Sequence, residues 1–161
     1  MDFEVLHLSK AQFTISTIAK WLFEEWGYLH ENDSIERRIG ILNRQMNLDS
    51  IPFTYVALKN DQSMGSASIV QTDIPDRDDL TPCVASVLVH KNFRKMGVGS
   101  ALMKAIVNHA WEIGYDTLYL FTWDQEKLYA ALGWETIEHS TFRDEPIVIM
   151  KLKKERRNDV D

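Results

Sequence analysis

Cysteine is almost missing from this chain. Among 161 residues Cys83 stands alone, so no disulfide forms within the chain and no cysteine-based zinc site is available. His7, His30, His109 and His139 are scattered, and no pair of them has metal-ligand spacing, so no metal is expected. A Gly-x-Ser-x-Gly string is absent too, and no Ser/His/Asp grouping is legible. No apolar run approaches the length of a membrane span. The first residues, Met1 to Val5, lack a basic stretch followed by a long apolar one, so a secretory leader is not expected and the cytoplasm is the expected location. Positive charge is in short supply: 18 Lys and Arg stand against 24 Asp and Glu, a formal net charge of -6. That balance argues against nonspecific nucleic-acid binding. Repeats, linkers and low-complexity tracts are all lacking.

What remains is an ordinary globular composition, 45% hydrophobic and 26% charged. The length suits one domain with a sizeable core, expected over residues 1–152. Residues 153–161 continue a short basic run, Lys151 to Arg157, that is broken by Glu155 and ends in Asp-Val-Asp; it reads as a solvated tail. Alternation predicts a strand over Phe3–Leu8. Helical spacing predicts Ile15–Trp26 and a second helix to about Met46, opened by a capping box at Asp33–Glu36. Phe53–Leu58 and Met64–Gln71 read as strands joined by a hairpin turn at residues 59–62. Cys83–Val89 is nearly continuous in apolar character, as a strand covered on both faces would be. A helix from Gly97 to about Ile113 follows, then a strand Thr117–Thr122, a short helix Gln125–Leu132, and strands Glu135–His139 and Pro146–Leu152. The order β-α-α-β-β-β-α-β-α-β-β describes an α/β domain, a single mixed β-sheet flanked by helices.

The most informative stretch is the end of the Cys83–Val89 strand and what comes after it. Arg94, Gly97 and Gly99 lie between that strand and a long helix. A strand that runs into a glycine-bearing turn and a helix N-terminus makes an anion site, because the turn and first-turn N–H groups point outward along the helix dipole. Glycine lets a ligand approach the main chain. Three phosphate-binding readings compete. Gly-x-x-x-x-Gly-Lys-Ser/Thr is absent. A dinucleotide fingerprint needs a small third residue where Leu102 stands. Arg/Gln-x-x-Gly-x-Gly/Ala, the diphosphate loop of coenzyme A-dependent acyltransferases, is matched by Arg94-x-x-Gly97-x-Gly99 at every fixed position. Lys91, Arg94, Lys95 and Lys104 crowd this loop on an otherwise acidic chain, which suits a discrete anion.

A second motif follows at Leu128-Tyr129 and Leu132-Gly133-Trp134: a short helix, a glycine stop and a strand that starts with an aromatic. With both motifs in place the chain resembles the GCN5-related N-acetyltransferases, and the resemblance covers essentially its whole length. It implies the acyl-CoA N-acyltransferase fold and acetyl-CoA as co-substrate. It implies that the backbone of Val87, Leu88 and Val89 pairs with the pantetheine arm, as an added strand would. It implies that the backbone of Arg94, Lys95, Met96, Gly97, Val98, Gly99 and Ser100 holds the diphosphate, and that Tyr129 protonates the departing thiolate. The acceptor would be a primary amine of a small molecule or peptide, reached by a monomer or homodimer with no nucleic-acid or membrane partner. The alternative is an acyl-CoA-binding sensor that does not catalyse.

Several positions stay open. Relatives often place a glutamate in the strand before Val87, and this chain has none there, so the base is unassigned. Cys83 is either a nucleophile or a small buried hydrophobe. Asp73, Asp78 and Asp79 either reach the acceptor mouth or face water. His90 either titrates in the reaction or sits at the edge of the diphosphate loop. Trp21, Phe23, Glu24, Glu25, Trp26 and Tyr28 either form an aromatic, acidic mouth for a cationic amine or divide between core and solvent.

Overall fold

Seven strands and four helices appear in the expected order in the computed structural model, which describes residues 2–155. The strands are β1 (Glu4–His7), β2 (Phe53–Lys59), β3 (Gln62–Val70), β4 (Cys83–Val89), β5 (Thr117–Thr122), β6 (Glu135–Phe142) and β7 (Glu145–Lys153). The helices are α1 (Ile15–Trp26), α2 (Ile35–Asn43), α3 (Val98–Glu112) and α4 (Glu126–Ala131). One mixed sheet runs β1-β2-β3-β4-β5-β7-β6, antiparallel throughout except between β4 and β5. The tail expected at 153–161 begins on the last residue of β7, and residues 156–161 lie outside the described part.

The helices divide between the two faces of the sheet. Ile15, Ile18, Ala19 and Leu22 recur at helical spacing along α1, and with Leu42 of α2 they bury Val56, Leu58 and Leu88. The other face is covered by α3, whose Val98, Leu102, Met103, Ile106 and Ala110 pack on Phe53, Ala67, Leu118 and Leu120. The sheet is thus closed on both sides, and β4 lies near its middle, which explains the unbroken apolar character of that strand.

Local chemistry sets the turns and caps. Asn60 and Asp61 both have positive φ, 49° and 64°, as a two-residue hairpin of matching twist requires. The cap of α2 falls one residue later than the Asp33–Glu36 pattern predicts: Ser34 accepts from the Arg37 N–H at 3.0 Å. Asp33 is drawn away by cations, with Arg37 at 3.0 Å and Arg38 at 2.8 Å. Desolvation raises its pKa, but the arginine hydrogen bonds outweigh that and hold the carboxyl below its usual range. α2 ends at Asn43 rather than Met46, and Met46 instead bridges to Phe53.

Candidate active site

The sheet is opened at its centre. Strands β4 and β5 pair at a single position, Cys83 with Tyr119, and then part. The cause lies in β4. Its register against β3 shifts between Ser66 and Ser68, and Ser86 has φ 57°, so an extra residue bulges there and turns the strand's end away from β5. A serine in an apolar run was the only signal of this bulge in the sequence. Gly65 faces the displaced segment, and a Cβ there would overlap the Leu88 carbonyl.

Beyond the bulge the backbone groups alternate. The His90 N–H donates to the Met64 carbonyl at 2.9 Å, and the Leu88 carbonyl lies against Gly65. Leu88 and His90 therefore direct their main-chain groups to β3, while Val87 and Val89 direct theirs to the gap before β5. One of these is already engaged: Arg94 Nε donates to the Val89 carbonyl at 3.2 Å. The gap opens into a cleft of about 810 Å³ bordered by Val87, Leu88, Val89, Gly99, Phe121, Thr122 and Tyr129.

The glycine turn stands at one end of this cleft. Lys95 (φ 64°) and Gly97 (φ 82°) are both left-handed, an alternation that turns successive N–H groups toward one side. Gly97 is the N-cap of α3 and no side chain bonds to the helix end. The first amide satisfied within the helix is that of Ala101, which donates to the Gly97 carbonyl at 3.0 Å. The N–H groups of Val98, Gly99 and Ser100 are thus left for a ligand, at the positive end of a 15-residue helix. Gly99 faces Val89, and a Cβ there would sit 3.6 Å from Cγ2 of that valine, inside the approach to these amides. Lys95 and Met96 are exposed on the turn.

Tyr129 lines the cleft from α4 and is 8% exposed. Gly133, at φ 99°, ends the helical segment and brings Trp134 back edge-on against the Tyr129 ring, centroids 6.4 Å apart. The Trp134 N–H donates to the Tyr129 carbonyl at 3.1 Å, so the second motif is a device that fixes this one phenol. At the other end of α4, Glu126 accepts from the Thr136 hydroxyl on β6. Burial, with the Asp124 charge adding to it, pushes the Tyr129 hydroxyl up to about 12, so it carries its proton at neutral pH.

The open positions now separate. Cys83 is fully buried, donates to the Leu80 carbonyl at 3.1 Å, and is pushed up to about 11 by desolvation; a thiolate nucleophile is not available there. His90 stacks on Trp21, centroids 4.7 Å apart, and its Nδ1 accepts from the Asn92 N–H, so it shapes the start of the loop. Trp21 packs into the core beneath α1 and α2. Glu24 faces solvent in a pair with Lys20. Glu25, Trp26 and Tyr28 border the cleft, and the Arg143 guanidinium lies 5.9 Å above the Tyr28 ring. Trp123 borders it too, as do Arg38 and Glu145, which nothing in the local sequence pattern marked. A second hollow of about 730 Å³ lies along α3 beside Leu132 and Trp134, with Lys104 the one titratable group in its lining. Among the described residues no group of three His, Cys, Asp or Glu could hold a metal ion, and no helix is long and apolar enough to cross a membrane.

A sequence model described as the acetyltransferase (GNAT) family matches residues 15–134. No curated protein matches the chain. Solved structures share the fold at low identity. The YncA protein of Salmonella typhimurium, solved with its cofactor acetyl-CoA, is 17% identical with a TM-score of 0.75, covering 100% of this chain and 99% of that one. An aminoglycoside 6'-N-acetyltransferase complexed with coenzyme A is 14% identical with a TM-score of 0.76, over 97% and 99% of the two chains. Ard1 from Thermoplasma volcanium is 18% identical with a TM-score of 0.68, over 97% and 100%.

Proposed function

Because the chain belongs to the acetyltransferase (GNAT) family, we propose that it transfers an acetyl group from acetyl-CoA to a primary amine of a small molecule or peptide, by direct attack with both substrates bound. The observation that carries this reading is the parting of β4 from β5 immediately before a glycine turn with outward N–H groups. A pantetheine arm has amides at strand-like spacing and would complete the sheet where β5 leaves it. Val87 and Val89 would supply the pairing groups, with Leu88 holding the strand against β3. The main chain from Arg94 through Lys95, Met96, Gly97, Val98 and Gly99 to Ser100 would receive the diphosphate. Acetyl-CoA brings the activated acyl group as its thioester. The fit is supported by Gly99, whose missing side chain leaves the amides approachable.

Tyr129 would give its proton to the departing sulfur. Burial keeps the proton on the phenol at neutral pH, while making it a weaker acid, and Trp134 fixes its place. No acyl-enzyme is needed, and Cys83, buried and protonated, is not one of the reacting groups. The catalytic unit would be residues 1–152, working in the cytoplasm, where a lone thiol stays reduced.

The test is incubation with acetyl-CoA and a panel of primary amines, read by thiol release and by the mass of the amine. Amine-dependent thiol release with a product heavier by one acetyl group is the expected result. Binding of acetyl-CoA without release would leave a coenzyme sensor in place of an enzyme.

A further inference from the structure

The segment between β3 and β4 carries three nearby aspartates, and the structure separates them. Asp79 is held at the surface by Arg77 at 3.0 Å, which also reaches Glu138 of β6 at 2.6 Å. Asp78 is exposed. Asp73 is the one of the three that borders the β4–β5 cleft, the cleft that Tyr129 lines from α4. The segment around it is fastened from two sides. Ile74 and Leu80 are buried with Cys83 and Ile149, and Arg77 ties the far end to β6. The backbone that carries Asp73 is thereby held in place. Asp73 is solvent-exposed where it borders the cleft, and the protein atoms crowded around its carboxyl push it up to about 6 by desolvation.

The other ionisable groups on those walls are Glu25 on α1, Tyr28 and His30 just after it, Arg38 on α2, Arg94 in the turn after β4, Asp124 and Tyr129 at α4, and Glu145 on β7. Arg38 is committed to Asp33 at 2.8 Å. Arg94 is the remaining cation on the wall, its Nε on the Val89 carbonyl at 3.2 Å; the other charged side chains facing the cleft among the described residues are carboxylates, with Trp26, Tyr28 and Trp123 on the same walls. Such a wall attracts a cation. Meanwhile β4 itself holds no carboxylate from Cys83 to Val89, so a base must come from another element.

We propose that Asp73 is the base of this site: its carboxylate receives the ammonium group of a cationic primary amine and takes the first proton from it. This rests on the acetyl-transfer reading and adds the base and the charge class of the acceptor. The carboxylate removes one proton from R–NH3+. The freed lone pair forms the N–C bond to the thioester carbonyl carbon as the C–S bond breaks. The C–S electron pair leaves on sulfur, which takes the proton of the Tyr129 hydroxyl. The second nitrogen proton restores that hydroxyl, and Asp73 passes its own proton to water. The products are an amide, a thiol and one proton in solution.

Two experiments decide it. In the first, Asp73→Asn and Asp73→Glu are compared with the wild type in steady-state kinetics across pH, using acetyl-CoA and 1,4-diaminobutane. The expected result is a wild-type kcat/KM that falls below an apparent pKa near 6. Asp73→Asn loses about 100-fold or more in kcat with little change in the KM for acetyl-CoA, and the acid limb vanishes. Asp73→Glu restores the limb. Activity of Asp73→Asn within a few-fold of wild type, or a surviving limb, overturns the proposal. The second experiment needs neither turnover nor a variant. The Asp73 carboxyl carbon is titrated by NMR in the coenzyme A-loaded protein, with and without 1,4-diaminobutane. The midpoint should fall when the dication is added, and an indifferent resonance overturns the proposal. Absence of turnover in the wild type with every amine would sink the acetyl-transfer reading, while this titration still decides whether Asp73 seats the cation.

Discussion

Tyr129 is set apart from the other tyrosines by how much of the chain serves it. Gly133 turns the backbone so that Trp134 packs on its ring, and burial keeps its proton in place. Tyr129→Phe keeps the ring and removes only the hydroxyl. Its kcat should fall by about 100-fold or more, while calorimetry shows acetyl-CoA affinity within a few-fold of wild type. Equal turnover would remove the phenol from the reaction. Gly99 has the opposite character, since its value lies in what it lacks. Its surroundings admit a Cβ at ordinary contact distance from Val89, so Gly99→Glu should fold. The carboxylate would stand among the first-turn amides of α3 and repel a diphosphate. Loss of acetyl-CoA binding with an unchanged melting temperature is the expected outcome, and retained affinity would move the diphosphate elsewhere.

At the scale of elements, the central device is the bulge that bends β4 from β5. Gly65 permits it, because the Leu88 carbonyl occupies the space a side chain would need. Gly65→Ala should cost roughly 1–3 kcal/mol of stability, as forced overpacking does, and denaturant titration reads that directly. A second device clasps the segment between α2 and β2. His7 Nε2 donates to the Asn47 carbonyl at 2.9 Å while its Nδ1 accepts from Ser9; His109 Nε2 donates to the Leu48 carbonyl at 2.7 Å while its Nδ1 accepts from the Tyr55 hydroxyl at 2.5 Å. The His7 ring, with a backbone N–H donating to its Nδ1, is held in its neutral form. Desolvation, with lesser repulsion from His109 and Lys10, lowers the His7 pKa from 6.5 against the pull of its bond to Asn47. A folded pKa below the unfolded one means that the unfolded chain binds more protons. The His7 contribution is thus complete above about pH 6.5 and is lost as pH falls toward the folded pKa. Melting curves should show a decline below that pH, and a His7→Gln variant should show a shallower one. An equal slope in both would detach His7 from the acid sensitivity.

The sequence disclosed the molecule unevenly, and the division has a physical reason. Helix α1, strand β4 and strand β5 appear with the ends their patterns predict, because apolar spacing and flanking turn residues are local properties. The Arg94–Gly99 turn and the Tyr129–Trp134 segment were legible for the same reason. Strand neighbours are not local. The break between β4 and β5, the bulge at Ser86 and the position of Asp73 on the cleft wall, with Asp78 and Asp79 off it, depend on contacts across the sheet and on Arg77 reaching Glu138. The α2 cap at Ser34 was missed by one residue because Asp33 is a good cap in isolation and a better partner for two arginines.

For the whole molecule, an acidic chain with net charge -6 gathers basic residues beside one outward-facing set of amides and opens its sheet next to them. The central claim is that this opening and this turn hold a single extended coenzyme. Residue-resolved amide exchange of the protein with and without acetyl-CoA tests it most directly. Protection should rise at Val87 and Val89 and across Gly97 to Ser100, with Leu88 protected in both states through its place against β3. Exchange that is unchanged at these amides under saturating coenzyme, or protection confined to the hollow along α3, would contradict the account.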